Sequence, residues 1–130
     1  MKKEGVMIIG HGSRSSESER VFELQAERIR AMGFNDVEIG FNEMSEKTIE
    51  KALETLAGSG VDVIFAIPMF IITGIHLTKD VPEKLMIPAG STNSIVSING
   101  KDIEIRYATA FGDDPLVADL IISKIDGLRT

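Results

Sequence analysis

Short apolar runs alternate along this chain with longer segments that have the hydrophobic spacing of amphipathic helices. Three runs, "VMII" at 6–9, "DVEIGF" at 36–41 and "VDVIFAI" at 61–67, have the length of strands, and the third is rich in β-branched residues. Strands that are separated by helices pair in parallel through right-handed crossovers, and largely apolar strands are covered on both faces. The sequence therefore predicts an α/β fold with helices on both faces of a mainly parallel sheet.

The segments between these runs carry helix signals. Ser16 and Glu19 have the spacing of a capping box, and Gly33 is a stop signal at the end of the first helix. The apolar residues on one side of this helix are Phe22, Ala26 and Ile29. Ser45 is placed to cap a second helix. Its apolar residues, at helical spacing, are Ile49, Leu53 and Leu56.

The signals that follow the third strand are mixed. Residues 76–90 predict a shorter helix whose start is obscured by Pro82, because proline favours the first turn. Residues 91–108 contain two alternating runs joined by an Asn-Gly pair, which favours a tight hairpin turn. We expect only the second run, 103–108, to join the sheet, and we assign no role to residues 91–102.

The last helix is predicted to begin with Asp114 as its cap and Pro115 in its first turn, and to end at Gly127. The residues of this helix that are expected to face inward are Val117, Ile121 and Ile125. With this helix, the elements add up to a single domain over residues 1–130 that is built on a four-stranded sheet.

Composition excludes several classes of function. The chain has no cysteine, so disulfides and thiolate metal sites are excluded, and imidazole and carboxylate remain as the strong metal ligands. A net charge of −6 without a Lys/Arg stripe argues against nucleic acid as a partner. The apolar stretch 61–75 is interrupted by polar residues and proline, and the N-terminal run is too short for a signal peptide. We therefore expect a cytoplasmic protein with no membrane partner.

The two histidines of the chain follow two of the predicted strands. His11 comes directly after the first strand, and His76 lies a short loop beyond the third; Glu43 comes just after the second. The carboxyl ends of parallel strands meet at one edge of the sheet, where ligands bind in such folds. The sequence therefore predicts that these three side chains, which suit metal binding and proton transfer, lie close together.

Each of these residues also has a purely structural interpretation. Either histidine alone could be a hydrogen-bonded surface residue, and Glu43 could be a solvated loop carboxylate. Gly12 could serve only a tight turn, whereas Ser13 and Arg14 could either cap a helix or donate to an anionic group. The apolar "PMFIITG" segment could be core or the wall of a flat hydrophobic pocket.

Several motifs, in chain order, resemble those of the short class II tetrapyrrole chelatases, the small CbiX-type sirohydrochlorin cobaltochelatases. The matching motifs are "GHGSR" after the first strand, "FNE" after the second, "PMFIITGIHLTKDVP" after the third and "FGDDPLVADLI" near the end. The histidine-containing third motif is the most specific. "FNEMSEK" departs from the family, since it lacks the usual apolar residue before the glutamate and the proline after it.

This resemblance implies a chelatase-like, flavodoxin-like half domain that forms a homodimer and inserts Co2+, or Ni2+ for the cofactor F430, into sirohydrochlorin. It implies that His11 and His76 bind the metal and handle protons, and that Glu43 joins them as a catalytic residue. The metal is then a substrate, and no permanently bound cofactor is expected. The residues expected to bind the macrocycle and its carboxylates are Gly12, Ser13, Arg14, Phe70, Ile71, Ile72, Thr73 and Gly74.

Three alternative functions remain open at this point. The same chemistry with Fe2+ would make the chain a sirohydrochlorin ferrochelatase, because imidazole sites accept all three metals. A tetrapyrrole or metal carrier would bind without turnover. A phosphotransfer protein would carry phosphate on His11, although a phosphohistidine mutase is expected to have arginine before that histidine, where this chain has Gly10.

Overall fold

The computed structural model describes residues 1–129. Its strands are β1 (Glu4–Gly10), β2 (Asp36–Phe41), β3 (Val63–Pro68), β4 (Asn93–Ile98) and β5 (Lys101–Tyr107). Its α-helices are α1 (Ser16–Ala31), α2 (Ile49–Gly58), α3 (Val81–Lys84) and α4 (Pro115–Leu128). A single π-helical turn, His76–Asp80, which we call the π-turn, leads directly into α3.

The strands form one sheet in the order β2-β1-β3-β5-β4. The β1 strand pairs in parallel with both β2 and β3, and β3 pairs in parallel with β5, whereas β4 is antiparallel to β5. The predicted α/β class and the mainly parallel sheet are confirmed. The carboxyl ends of β1, β2 and β3 therefore lie side by side at one edge, which we call the site edge.

The predicted number of four strands is wrong, because residues 93–98 also join the sheet. Asn99 and Gly100 both have positive φ values, 52° and 82°, and they form the two-residue turn that joins β4 to β5. Only one face of β4 is buried, through Val96 and Ile98. An edge strand with a single buried face has a weak apolar signal, so the alternating run indicated a hairpin but not a strand of the main sheet.

Helices cover both faces of the sheet, as predicted. On one face, Phe22 and Ala26 of α1 pack against Val6, Ile8, Val37, Ile39 and Phe41. On the other face, α2, the π-turn and α3 contribute to a larger cluster that includes Met7, Ile9, Leu56, Ile64, Leu77, Leu85, Ile103 and Ile105. The predicted inward residues of α2, Ile49 and Leu53, belong to the same cluster. No helix within residues 1–129 has the length and apolar character needed to cross a bilayer.

The two predicted N-caps are displaced along the chain. In α1 the cap is Ser15 rather than Ser16, and its side chain accepts a hydrogen bond from the backbone N–H of Glu17. In α2 the cap is Thr48, because Ser45 instead accepts from the N–H of Lys47 within the preceding loop. The second helix thus begins later than predicted, and a seven-residue loop, 42–48, which includes its cap, separates it from β2.

The prediction that the apolar residues of α4 face inward is wrong. The helix begins as expected with Asp114 as its cap and Pro115 in its first turn, but none of its residues is buried, and it continues past Gly127. Large apolar side chains along it are between 40% and 83% exposed: Leu116, Leu120, Ile121, Ile122, Ile125 and Leu128. Within the described chain, α4 therefore presents an apolar surface to solvent.

Two glycines of this fold test how closely α2 packs on β2. At Gly40 a Cβ would lie 2.9 Å from the Cα of Ile49, so Gly40→Ala should displace the helix and lower the free energy of unfolding. The expected loss is about 1–3 kcal/mol, typical of an overpacked core. At Gly58 a Cβ would meet no atom within 4 Å, and Gly58→Ala should stabilise the helix. The expected gain is about 0.5–1 kcal/mol. Urea denaturation measures both, and equal stabilities would contradict this packing.

Candidate functional site

Two backbone hydrogen bonds extend the pairing of β1 and β2 beyond the ends of the strands. The N–H of Asn42 donates to the carbonyl of Gly10 at 2.9 Å, and the N–H of Glu43 donates to the carbonyl of His11 at 3.1 Å. The two loops approach so closely at Gly12, where φ is +102°, that a Cβ there would lie 1.7 Å from the carbonyl oxygen of Glu43. Glycine is therefore required at this position, and His11 and Glu43 are held side by side.

The side chains of His11 and Glu43 meet at the site edge, as the sequence predicted. Nε2 of His11 lies 3.0 Å from Oε1 of Glu43, and the two side chains are 48% and 43% exposed. A carboxylate at this distance accepts a hydrogen bond from the ring N–H. The pair is thus reachable from solvent and can hold or transfer a proton.

His76 reaches the same place from the π-turn. Its ring packs edge-on against the ring of His11, with centroids 4.7 Å apart, and the ring of Phe70 lies 6.1 Å from that of His11 on another side. The structure therefore brings together His11, His76 and Glu43, the three side chains predicted to converge. Within residues 1–129, no group of three or more His, Asp or Glu side chains is arranged to enclose a metal ion.

The shape of the π-turn follows from Pro82. A proline has no N–H to donate to the carbonyl four residues earlier, and its ring clashes with that carbonyl in a regular α-helix. The preceding turn is widened instead, with the N–H of Val81 donating to the carbonyl of His76. The hydroxyl of Tyr107 donates to the carbonyl of Leu77 at 2.9 Å and ties the turn to β5. Burial raises the pKa of Tyr107 to about 12, so its hydroxyl stays a donor.

Three residues behind His76 were not singled out from the sequence: Asp80 and Asn42, which contact its ring, and Lys84, which contacts Asn42. Nδ1 of His76 lies 2.7 Å from Oδ2 of Asp80 and 3.2 Å from Nδ2 of Asn42. Lys84 donates to Oδ1 of Asn42 at 3.0 Å and also to the backbone carbonyl of Asn42. The four-residue spacing of His76 and Asp80 on a helical turn was the available signal for one of them. Asn42 and Lys84 are 42 positions apart, and no local pattern links them.

The predicted anion-binding residues lie beside the start of α1. Ser13 and Arg14 line a cleft of about 270 Å³ together with Glu19 and Lys47. Hydrogen bonds to the carboxylates of Glu19 and Glu23 raise the pKa of Lys47 and neutralise its charge locally. Arg14 is the other cation that lines this cleft. The hydroxyl of Ser13 accepts from the N–H of Ser15, so it supports the loop that presents Arg14.

The apolar segment 70–74 is fixed in place by the loop that follows β5. The N–H of Phe111 donates to the carbonyl of Phe70 at 2.7 Å, and a Cβ at Gly112 would lie 2.2 Å from the carbonyl oxygen of Ile71. Ile71 and Ile72 are 58% and 73% exposed. They therefore form an apolar surface next to His76, and not a part of the core.

The other members of this segment have different surroundings. The carbonyl of Gly74 accepts hydrogen bonds from Leu77 and Thr78, so this glycine begins the π-turn. Thr73 lines a separate cleft of about 180 Å³ with Tyr107. Two further exposed apolar residues, Met44 and Ile75, flank the site edge, and the sequence analysis did not include them.

Comparison with solved structures shows where this fold occurs. SirB from Bacillus subtilis with Fe3+ aligns with a TM-score of 0.77 and 23% identity, covering 98% of this chain and 48% of SirB. SirB from Bacillus subtilis subspecies spizizenii, a sirohydrochlorin chelatase in complex with cobalt, aligns with a TM-score of 0.76 and 24% identity, covering 96% and 50%. This chain spans about half the length of these structures and shares their fold.

Sequence comparison identifies the family. The CbiX family model matches residues 5–128. The sirohydrochlorin cobaltochelatase of Methanosarcina acetivorans is 39% identical over 126 residues, which are 95% of this chain and 95% of that protein. The match includes every element of the sheet and both histidine loops. This chain therefore belongs to the CbiX family.

Proposed function

We propose that this chain is a sirohydrochlorin chelatase that inserts a divalent metal ion, Co2+ in the first place, into sirohydrochlorin. The observation that carries the proposal is the contact between the rings of His11 and His76, half-exposed at the ends of β1 and β3. The relative from Methanosarcina acetivorans, similar over nearly its whole length, is named for this activity.

The chemistry requires that the metal lose water and that pyrrole nitrogens lose protons. Neutral imidazole is a good ligand for Co2+ and Ni2+, and histidine accepts protons near neutral pH. His76 would bind the partly dehydrated ion through Nε2, since its Nδ1 already contacts Asp80 and Asn42. His11, paired with Glu43, would accept a proton from the macrocycle and pass it to the carboxylate and to solvent.

The surfaces beside the histidines suit a large, carboxylate-rich macrocycle. The exposed side chains of Ile71 and Ile72, with Phe70 behind them, offer an apolar surface to the ring. On the other side of the site, Arg14 and the backbone N–H groups at the start of α1 would bind the peripheral carboxylates. Arg14 would thus provide a positive charge where the anionic substrate binds, although the chain as a whole is acidic.

The metal and the pathway are the finer parts of the proposal. Insertion of Co2+ would serve cobalamin synthesis, and insertion of Ni2+ would serve synthesis of F430. Imidazole ligands do not by themselves discriminate these ions from Fe2+, and solved SirB structures contain either iron or cobalt. We expect the ion to be a substrate that leaves with the product, and no cofactor to stay bound. A cytoplasmic location stays a prediction.

A homodimer is the proposed assembly. Six large apolar side chains of α4 are exposed, and no other element within residues 1–129 buries them. The SirB chains are about twice as long as this one, so a second copy would supply the equivalent of their other half. We propose that α4 packs against a second copy of this chain.

Substitution of either histidine tests the site. We expect His11→Ala and His76→Ala to fold normally, because both side chains are half-exposed, and to lose at least about 100-fold in turnover. Anaerobic incubation with sirohydrochlorin and Co2+, Ni2+ or Fe2+, followed by visible absorption, measures the rate. Multiple turnovers by the wild type establish a chelatase, whereas a signal that saturates at one equivalent would indicate a carrier. Unchanged rates in both variants would contradict the site assignment.

Replacement of Glu43 tests the proton route separately from metal binding. Glu43→Gln keeps the size of the side chain but removes the carboxylate next to Nε2 of His11, so we expect kcat to fall at least about tenfold with little change in the KM for metal. Glu27→Gln, at an exposed residue of α1, is the matched control and should behave like the wild type. Equal kcat values for the two variants would exclude a proton-transfer role for Glu43.

A charge on α4 tests the dimer. The wild type should have twice the mass of one chain by light scattering after gel filtration. Ile121→Glu places a charge on the exposed apolar surface and should shift the population towards monomer. Lys124→Glu, a charge change at a residue of the same helix that is already polar, should leave the mass unchanged. A wild type that elutes as a monomer at all concentrations would contradict the proposal.

A further inference from the structure

Nδ1 of His76 is contacted by two groups that require opposite protonation states of this nitrogen. Oδ2 of Asp80, at 2.7 Å, accepts a hydrogen bond only if Nδ1 carries a proton. Nδ2 of Asn42, at 3.2 Å, donates a hydrogen bond only if Nδ1 carries none. The two contacts therefore favour different tautomers of the neutral ring.

The orientation of the Asn42 amide is fixed by Lys84. The ammonium group can only donate, and it lies 3.0 Å from the atom assigned as Oδ1, so the NH2 group of the amide must point towards His76. Asn42 is also the one buried polar residue within residues 1–129, with 6% of its surface exposed. A buried amide that is held by a cation cannot turn over at low cost to relieve the conflict.

The contact with Asp80 is the stronger of the two. It is shorter by half an ångström, and a hydrogen bond to an ionised carboxylate is roughly twice as strong as one between neutral groups. A histidine that binds a metal through one nitrogen commonly donates from the other to such a carboxylate. The proton is therefore expected on Nδ1, which leaves the lone pair of Nε2 free.

We propose that Asp80 is a positioning residue that holds His76 in the Nδ1–H tautomer, against the opposing donor of the Asn42–Lys84 pair, and thereby makes Nε2 available to the incoming divalent metal. The role in metal binding rests on the proposed function, whereas the tautomer is a property of the free protein. Without the carboxylate, Asn42 would be the controlling contact, and the proton would move to Nε2, where it blocks coordination.

The first test measures the tautomer directly in the metal-free protein. The chain has only two histidines, so nitrogen NMR of the 15N-histidine-labelled protein resolves both rings, and His11→Ala assigns them. The spectra are recorded at pH about 8, above the ordinary imidazole pKa of about 6.5. We expect the proton of His76 on Nδ1 in the wild type and largely on Nε2 in Asp80→Ala, which removes the acceptor altogether. A wild type with the proton on Nε2, or an Asp80→Ala variant with an unchanged spectrum, would overturn the proposal.

The second test moves the carboxylate from position 80 to position 42, the other residue that contacts Nδ1 of His76. In Asn42→Asp/Asp80→Asn the two side chains exchange their chemistry, and the new carboxylate lies beside Lys84, which can pair with it. We expect the double variant to return the proton of His76 to Nδ1. Glu83→Gln, which removes one negative charge from α3 as Asp80→Ala does from the π-turn, is the matched control for that single variant and should match the wild type. Failure of the swap to restore the tautomer, in a variant that melts like the wild type, would overturn the proposal.

Metal-dependent kinetics provide a readout that a loss of stability would not produce. A smaller competent fraction of His76 raises the apparent KM for Co2+ in proportion, and the expected increase for Asp80→Ala is about 10–100-fold. The KM for sirohydrochlorin should stay unchanged. Equal increases in both KM values would indicate a general distortion of the site and would overturn a specific role for Asp80. A wild type without turnover would refute the proposed function alone, because the NMR result stands independently.

Discussion

The parallel pairing of β1 with β2 on one side and β3 on the other is the constraint on which the site depends. It sets the ends of the three strands side by side, so that residues more than thirty positions apart in sequence meet at one edge. The glycine at position 12 then lets the loops after β1 and β2 touch. His11 and Glu43 are thus positioned by backbone hydrogen bonds, and their side chains have little conformational freedom to lose when they act together.

The loop after β3 differs from the loops after β1 and β2, because it must bring His76 to the position of His11 and Glu43. A proline in the first turn of α3 forces the preceding turn open, and the resulting π-turn is anchored to β5 through Tyr107. Polar support comes from behind the ring, through Asp80 and the Asn42–Lys84 pair. Because the ring of His76 is held through Nδ1, its Nε2 is free to bind a metal. A site that passes a metal to a macrocycle requires such a free nitrogen.

The C-terminal helix, α4, carries apolar side chains that this small domain does not bury. Two clusters of apolar side chains fill the two faces of the sheet without any contribution from α4. The helix instead carries a run of exposed leucines and isoleucines, an apolar patch of the kind that marks an interaction surface. A second copy of the chain would cover that patch and would also enlarge the platform available to a macrocycle.

The sequence by itself determined the alternation of strands and helices, the faces by which α1 and α2 pack on the sheet, and the convergence of His11, His76 and Glu43. Each follows from hydrophobic periodicity and from the rule that parallel strands end at one edge, and both depend only on local order. The tertiary structure alone decided that the first run of the predicted hairpin, 93–98, joins the edge of the main sheet, that α4 stays exposed, and that Asp80 and the Asn42–Lys84 pair lie behind one histidine. Those outcomes depend on which distant surfaces meet and how loops close against each other, and no periodic pattern in the sequence carries that information.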